Sequence, residues 1–149
     1  MCGIVGYVGN QEATRILIDS LRKLEYRGYD SSGVAIILDS KKEPQLKVTK
    51  SQGYISELES KIERSNSRIG ISHTRWATHG VPNENNAHPY VDSSSSIAVV
   101  HNGIIDNFMS LKEDLMKKGH EFKTQTDSEV IPHLMEEEYK TNGGDLLKP

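Results

Sequence analysis

The chain has 149 residues, a formal net charge of −3, 35% hydrophobic residues and one cysteine. This composition is typical of one folded domain, and it excludes a strongly basic protein whose main partner is nucleic acid or an anionic membrane. A single cysteine cannot form an intramolecular disulfide, and the sequence shows neither a secretory signal nor an apolar run of about 18 residues. We therefore predict a cytoplasmic domain with no nucleic-acid or membrane partner.

The only cysteine, Cys2, lies at the start of the chain. If Met1 is removed, Cys2 carries both a thiol and a free α-amine. A free α-amine is often unprotonated near neutral pH, so it can accept the proton of a thiol nucleophile. Position alone favours a simpler explanation, because free cysteine is among the most buried residue types.

Hydrophobic patterns in the first half of the chain predict strands separated by helices. The predicted strands cover residues 3–8, 33–38, 45–50 and 68–73, and a loop is predicted over 25–33. Asn10 is a candidate cap for a first helix, whose apolar face carries Ala13, Leu17, Leu21 and Leu24. A second, short helix has its apolar face at Ile55, Leu58 and Ile62.

In the second half, residues 82–90 predict an ordered loop, and a serine run at 93–96 predicts a turn before a strand over 97–100. A third helix has apolar residues at Phe108, Leu111 and Leu115, and Gly119 is positioned to terminate it. Residues 126–128 resemble a cap for a fourth helix, in which Pro132 fits only near the start. Grouped strands with helices between them predict an α+β or layered fold.

Four stretches carry most of the polar residues that could take part in catalysis or binding, at 1–6, 24–33, 73–80 and 100–105. Together they resemble the glutaminase domain of the class II, N-terminal-nucleophile glutamine amidotransferases. Residues 26–30 and 74–80 are most similar to the branch of that family that makes amino sugar phosphates. The resemblance extends from residue 1 to about residue 140.

The fold that this resemblance implies is an αββα four-layer sandwich of the N-terminal-nucleophile hydrolase type, with two antiparallel sheets between helical layers. It also implies that residues 1–149 are the N-terminal portion of the glutaminase domain, and that the sugar isomerase domains lie outside this chain. In the full-length chain we expect those isomerase domains and a second subunit of a homodimer as partners.

The activity that the resemblance implies is hydrolysis of the side-chain amide of glutamine through a thioester on Cys2. The ammonia released would convert fructose 6-phosphate into glucosamine 6-phosphate. The family pattern assigns the oxyanion hole to Asn102 and Gly103, the substrate α-carboxylate to Arg75 and the α-ammonium to Asp127. The other residues that it assigns to the substrate pocket are Arg27, Gly28, Trp76, Thr78 and His79.

Three of these residues also have ordinary structural explanations. Asn102 followed by Gly103 is a common hairpin turn. On local grounds Asp127 is better explained as a helix N-cap, and Trp76 suits core packing equally well.

No metal and no cofactor are predicted, because His73, His79, His88 and His101 lack the usual metal-ligand spacings. Two other functions remain open. One is the glutaminase part of another class II amidotransferase, in purine or glutamate synthesis. The other is a folded fragment that binds glutamine or a partner domain without turnover.

Overall fold

An antiparallel sheet of four strands organises the structure, a computed structural model that describes residues 2–39, 43–77 and 80–145. The strand order is β1-β4-β2-β3. The strands are β1 (Gly3–Val8), β2 (Ser31–Leu38), β3 (Gln45–Gln52) and β4 (Ile69–Arg75). A second sheet pairs β5 (Tyr90–Val91) with β6 (Ala98–Val99). The helices are α1 (Ala13–Leu24), α2 (Ile55–Lys61), α3 (Phe108–Lys117) and α4 (Val130–Thr141), and short 3₁₀ turns cover Glu25–Arg27 and Asp127–Glu129.

The outer face of the four-stranded sheet is covered by α1 and α2. Successive residues of a strand point to opposite faces, so every second residue of each strand meets these helices. A buried apolar cluster fills the space between them, formed by Ala13, Leu17, Ile18, Leu21, Val34, Ile36, Ile55 and Leu58. The predicted helix periodicity is confirmed for Leu17 and Leu21, which are fully buried.

The inner face of the same sheet is covered by the segment that leads into β5. The ring of His88 packs on His73 of β4 with ring centroids 4.0 Å apart, and Tyr90 packs on His88 at 4.2 Å. This approach depends on Gly33, because a Cβ atom there would lie 2.0 Å from the carbonyl oxygen of His88. Helix α4 packs on the far side of β5 and β6. The layers therefore follow the order helix, sheet, sheet, helix, which confirms the predicted α+β class.

Some local predictions were wrong. Asn10 does not cap α1, because the helix begins at Ala13, whose N–H donates to the carbonyl oxygen of Ser67 at 2.8 Å. The strand predicted to end at His73 continues to Arg75. The predicted strand over 97–100 is only two residues long, at Ala98–Val99.

The start of α4 also differs from its prediction. A 3₁₀ turn at Asp127–Glu129 precedes the helix, and Thr126 makes no side-chain capping hydrogen bond. Pro132 lies in the first turn of α4, where a missing N–H removes no intrahelical bond. Gly119 ends α3 as predicted, with φ of +94°. Within the three described ranges, no helix has the length and apolar character needed to cross a bilayer.

Candidate active site

The thiol of Cys2 lies against the end of β4. Its Sγ accepts the N–H of Trp76 at 3.3 Å and lies 3.6 Å from the carbonyl oxygen of the same residue. The register of β1 on β4, with Gly3 opposite Thr74, brings the first residue before β1 to this position. Cys2 is a free cysteine and is partly exposed, so its sulfur is both held by the backbone and accessible.

The alternation of side chains along β4 determines which of them face the side of the sheet where the cavity lies. A Cβ atom on Gly70 would meet Leu17 of α1, so Gly70 and Thr74 face the outer helix layer. His73 and Arg75 therefore face the opposite, inner side, where both are buried.

The end of β4 is supported by the preceding loop. The carbonyl oxygen of Gly28 accepts the hydroxyl of Thr74, and Asp30 accepts the N–H of Ala77 at 2.7 Å. A Cβ atom on Gly28 would lie 2.8 Å from the backbone of Arg75 and Trp76. Gly28 thus lies behind the cavity, where it allows the loop to approach the strand that carries Arg75.

Asn102 is held in one orientation by a buried histidine. The Nε2–H of His73 donates to the Asn102 Oδ1 at 2.8 Å. Burial lowers the pKa of His73 to about 4, so its ring is neutral near pH 7. Because the oxygen of the amide is occupied, the amide nitrogen is left to donate elsewhere. Residues 100–107 connect β6 to α3, so Asn102 and Gly103 do not form the hairpin turn considered above.

The carboxylate of Asp127 contacts the same loop. Its Oδ2 accepts the N–H of Ile105 at 2.7 Å, and its Oδ1 lies 3.3 Å from the hydroxyl of Ser128. Ser128 in turn contacts the Nδ1 of His101 at 2.9 Å. The interpretation of Asp127 as a helix N-cap is therefore wrong, since its carboxylate links the first turn before α4 to the loop that carries Asn102.

These elements enclose one cavity of about 390 Å³. Seven of the predicted site residues line it or supply its walls, namely Cys2, Arg27, Arg75, Trp76, Asn102, Gly103 and Asp127. Trp76 is 46% exposed and contacts Tyr29 edge-on with centroids 6.0 Å apart, so the core-packing interpretation of Trp76 is wrong. Thr78 and His79 lie outside the described residues.

The cavity combines charges of both signs with neutral polar groups. Arg27 and Arg75 bring guanidinium groups, and Asp127 brings a carboxylate. Burial, together with the nearby charge of Arg75, lowers the pKa of His88, so this ring is neutral as well. Such a cavity suits a small zwitterion with an uncharged side chain.

Sequence reasoning missed several residues that line the cavity, which are His88, Tyr90, His101, Ile104, Thr126 and Ser128. Four of them had a signal in the sequence, because each directly adjoins a predicted site residue, namely His101, Ile104, Thr126 and Ser128. His88 and Tyr90 reach the cavity only because the segment around β5 packs on the inner face of the first sheet.

Comparison with known proteins gives one family and several relatives. A glutamine amidotransferase domain family matches residues 73–148. The isomerizing glutamine–fructose-6-phosphate aminotransferase of Clostridium perfringens is 53% identical over 149 residues, which is 99% of this chain and 23% of that protein. The enzyme of the same name from Thermus thermophilus is 50% identical over 151 residues, covering 99% of this chain and 24% of that protein.

A solved structure shares the fold. Glutamine phosphoribosylpyrophosphate amidotransferase from B. subtilis, complexed with ADP and GMP, matches with a TM-score of 0.73 at 29% identity, over 91% of this chain and 29% of that chain. The present chain spans about a quarter of the length of the curated relatives that it matches.

Proposed function

The chain belongs to the glutamine amidotransferase family, and on that premise we propose that it hydrolyses the side-chain amide of glutamine to glutamate and ammonia. One observation carries this proposal. A single cavity receives the thiol of Cys2, the amide of Asn102 and charged groups of both signs from Arg75 and Asp127. These are the nucleophile, the oxyanion donor and the amino-acid recognition groups that such a hydrolysis requires.

Cys2 is the nucleophile in this proposal. Its sulfur attacks the amide carbon of glutamine, and the thiol proton passes to the α-amine that Cys2 acquires when Met1 is removed. The amine then returns this proton to the leaving nitrogen, which departs as ammonia and leaves a glutamyl thioester. Attack of water on the thioester releases glutamate and restores the thiol. If Met1 stays attached, the amine is an amide with no basicity, so the unprocessed chain is nearly inactive.

Asn102 and Gly103 stabilise the negative oxygen that forms when the sulfur attacks. The hydrogen bond from His73 to the Asn102 Oδ1 supports this role, because it leaves the amide N–H groups to donate into the cavity. A donor whose orientation is set before the reaction needs no reorganisation as charge develops. His73 is a positioning residue in this scheme.

The amino-acid end of glutamine carries a carboxylate and an ammonium group. The buried guanidinium of Arg75 can form two parallel hydrogen bonds with the carboxylate. The carboxylate of Asp127 balances the ammonium group. Arg27 lines the same cavity, and Gly28 supports its wall. We extend the pocket to Trp76, Thr78 and His79 on the basis of the family pattern.

In the longer protein, we propose that the ammonia converts fructose 6-phosphate into glucosamine 6-phosphate. The identity of 50–53% to two aminotransferases of this specificity supports this assignment. The match to the B. subtilis glutamine phosphoribosylpyrophosphate amidotransferase is lower, at 29%. The exposed ring of Trp76 at the cavity suits a surface that meets the ammonia-accepting domain.

We also propose that residues 1–149 form the N-terminal portion of their domain. The inner face of β1 and β4 supports this, because Ile4, Val8 and Ile69 are 41%, 78% and 42% exposed on it. Apolar residues on one sheet face are ordinarily buried against another layer. Sugar isomerase domains after residue 149 and a homodimeric assembly stay predictions.

The test is intact mass spectrometry before and after reaction with an electrophilic glutamine analogue. We expect loss of Met1 and one adduct, which peptide mapping assigns to Cys2 and which excess glutamine suppresses. A Cys2→Ser variant is the control and gains no adduct. No adduct on a chain that has lost Met1 would overturn the proposal in favour of a binding fragment.

A further inference from the structure

A second group of titratable side chains lies away from the cavity of Cys2. His120, His133 and Glu136 are all buried, at 6%, 2% and 6% exposure. Each directs one ligand atom toward a common point, and the three atoms lie within 4.8 Å of one another. Within the described parts of the chain, no other three His, Cys, Asp or Glu residues converge in this way.

The spacing of these atoms is that of a tetrahedral metal site. The Nδ1 atoms of His120 and His133 are 3.2 Å apart. The Oε2 of Glu136 lies 3.4 Å from the first and 3.9 Å from the second. Ligands bound at 2.0–2.1 Å to tetrahedral Zn²⁺ are separated by about 3.3 Å. We propose that His120, His133 and Glu136 bind a zinc ion.

A polar group also lies near the fourth position of the tetrahedron. The hydroxyl of Ser93 lies 3.2 Å from the His120 Nδ1 and 3.4 Å from the His133 Nδ1. The backbone N–H of Ser93 donates to the Glu136 Oε2 at 3.1 Å. A hydroxyl or a water held there would be the fourth ligand of the ion, beside two imidazoles and a carboxylate.

The outer hydrogen bonds prepare the ligands for a cation. The Nε2–H of His120 donates to Glu137 at 2.9 Å, and the Nδ1 on the other side of the ring faces the site. A carboxylate behind a metal-bound histidine fixes the ring and raises its basicity. Lys140 holds the other oxygen of Glu136 at 2.9 Å.

Hydrogen bonds among His120, His133 and Glu136 cannot satisfy all three converging ligand atoms. The facing Nδ1 atoms of the two imidazoles can share only one proton between them, and the Glu136 oxygen beside them is a further acceptor. A divalent cation accepts electron pairs from all three atoms at once. The site also has an access path, because Ser93 and His133 line a second cavity of about 440 Å³.

The ion would join three segments that are distant in sequence. Ser93 follows β5, His120 follows α3, and His133 and Glu136 belong to α4. The turn that carries Asp127 directly precedes α4. Zinc at this point therefore stabilises the α4 layer from which Asp127 reaches the Cys2 cavity, and its role is structural.

The experiment measures metal binding by the chain after Cys2 has been alkylated with iodoacetamide, so that the thiol cannot bind the ion. We expect one Zn²⁺ per chain, a rise in melting temperature with Zn²⁺, and the intense visible absorption of tetrahedral Co²⁺ when cobalt replaces zinc. X-ray absorption should give Zn–N/O distances of about 2.0–2.1 Å without sulfur.

Two variants separate the site from non-specific binding. Glu136→Gln removes a ligand and should abolish the stoichiometric binding and the cobalt spectrum. Glu138→Gln removes the same charge from an exposed position on α4 and should change neither. Glu137→Gln should weaken affinity about 10–100-fold. Absence of stoichiometric binding by the wild-type chain, an octahedral cobalt spectrum, or equal binding by Glu136→Gln would overturn the proposal.

Discussion

The Nε2 of His73 lies 2.8 Å from the Oδ1 of Asn102, and this contact joins a buried strand to the loop that lines the cavity. The two residues are 29 positions apart in sequence. His73 is itself stacked on His88, so its ring has little freedom to rotate. The packing of the β5 segment on β4 thus fixes the ring of His73, and His73 in turn orients the Asn102 amide.

Removing the Asn102 amide should reduce kcat. Asn102→Ala eliminates a donor that acts only when the negative oxygen forms, so we expect kcat for glutamine hydrolysis to fall about 10²–10³-fold with KM little changed. Steady-state ammonia release measures both constants. An unchanged kcat would contradict the assignment of Asn102 as an oxyanion donor.

Changing His73 should test whether it acts through Asn102. His73→Leu removes the donor to the Asn102 Oδ1 and allows the amide to turn, so kcat should fall while KM for glutamine stays near its original value. His73→Gln can present an amide N–H at a similar point and should recover part of the lost kcat. Equal losses in both variants, parallel to their losses in stability, would show that His73 is only structural.

The same histidine should make the protein sensitive to acid. The pKa of His73 falls from 6.5 to about 4 on folding. Between these values the unfolded state binds a proton that the folded state does not, so the free energy of unfolding decreases as pH falls through this window. Each such proton contributes about 1.4 kcal/mol per pH unit.

Urea unfolding across that pH window measures the effect. His88 and His133 have lowered pKa values too and contribute in the same direction, so the comparison is between the wild-type chain and His73→Gln. We expect the free energy of unfolding of the variant to depend on pH less steeply, by about 1.4 kcal/mol per pH unit within this window. Identical slopes would mean that His73 is protonated in the folded chain.

Substitution of Asp127 should weaken substrate binding. Asp127→Asn keeps an oxygen that can accept the N–H of Ile105 but removes the negative charge. Because hydrogen bonds to charged groups contribute about 1.5–3 kcal/mol, we expect kcat/KM to fall roughly 10–150-fold. Asp106→Asn, on an exposed carboxylate of the same loop, is the matched control and should leave kcat/KM unchanged. A similar loss in both variants would point to long-range charge instead of contact.

A methyl group at Gly28 should disturb the end of β4. The new Cβ atom would lie 2.8 Å from the backbone of Arg75 and Trp76, where no side chain can move aside. We expect Gly28→Ala to lower the free energy of unfolding by about 1–3 kcal/mol and to reduce kcat/KM. Gly6→Ala is the control, since a Cβ atom there meets nothing within 4 Å. Chemical denaturation of both variants decides whether the contact matters.

The secondary structure was largely predictable because local periodicity reports which face of an element is buried. The spacing of Leu17 and Leu21 predicted α1, and the apolar run over 33–38 predicted all but the first two residues of β2. The termini were less predictable, because long-range partners determine them. The carbonyl oxygen of Ser67, and not the side chain of Asn10, accepts the first N–H of α1. Pairing with Ser31 of β2 extends β4 to Arg75.

The site could be assigned only through resemblance to a family. Nothing local indicates that Cys2, Asn102 and Asp127 share a cavity, because their contact depends on strand order and on the packing of β5. The converging group of His120, His133 and Glu136 was missed for a related reason. His133 and Glu136 are three residues apart on one helix and gave a usable signal, whereas His120 joins them only through the turn after α3.

The alternation of side chains along β4 constrains how this strand can change during evolution. Gly70 and Thr74 face α1, whereas His73 and Arg75 face the inner side of the sheet, where Arg75 lines the cavity. A one-residue insertion or deletion in β4 would reverse both sets and direct the guanidinium of Arg75 into the apolar layer beneath α1. Point substitutions can accumulate in this strand, but its length cannot drift, so we expect functional homologues to align across residues 69–75 without gaps.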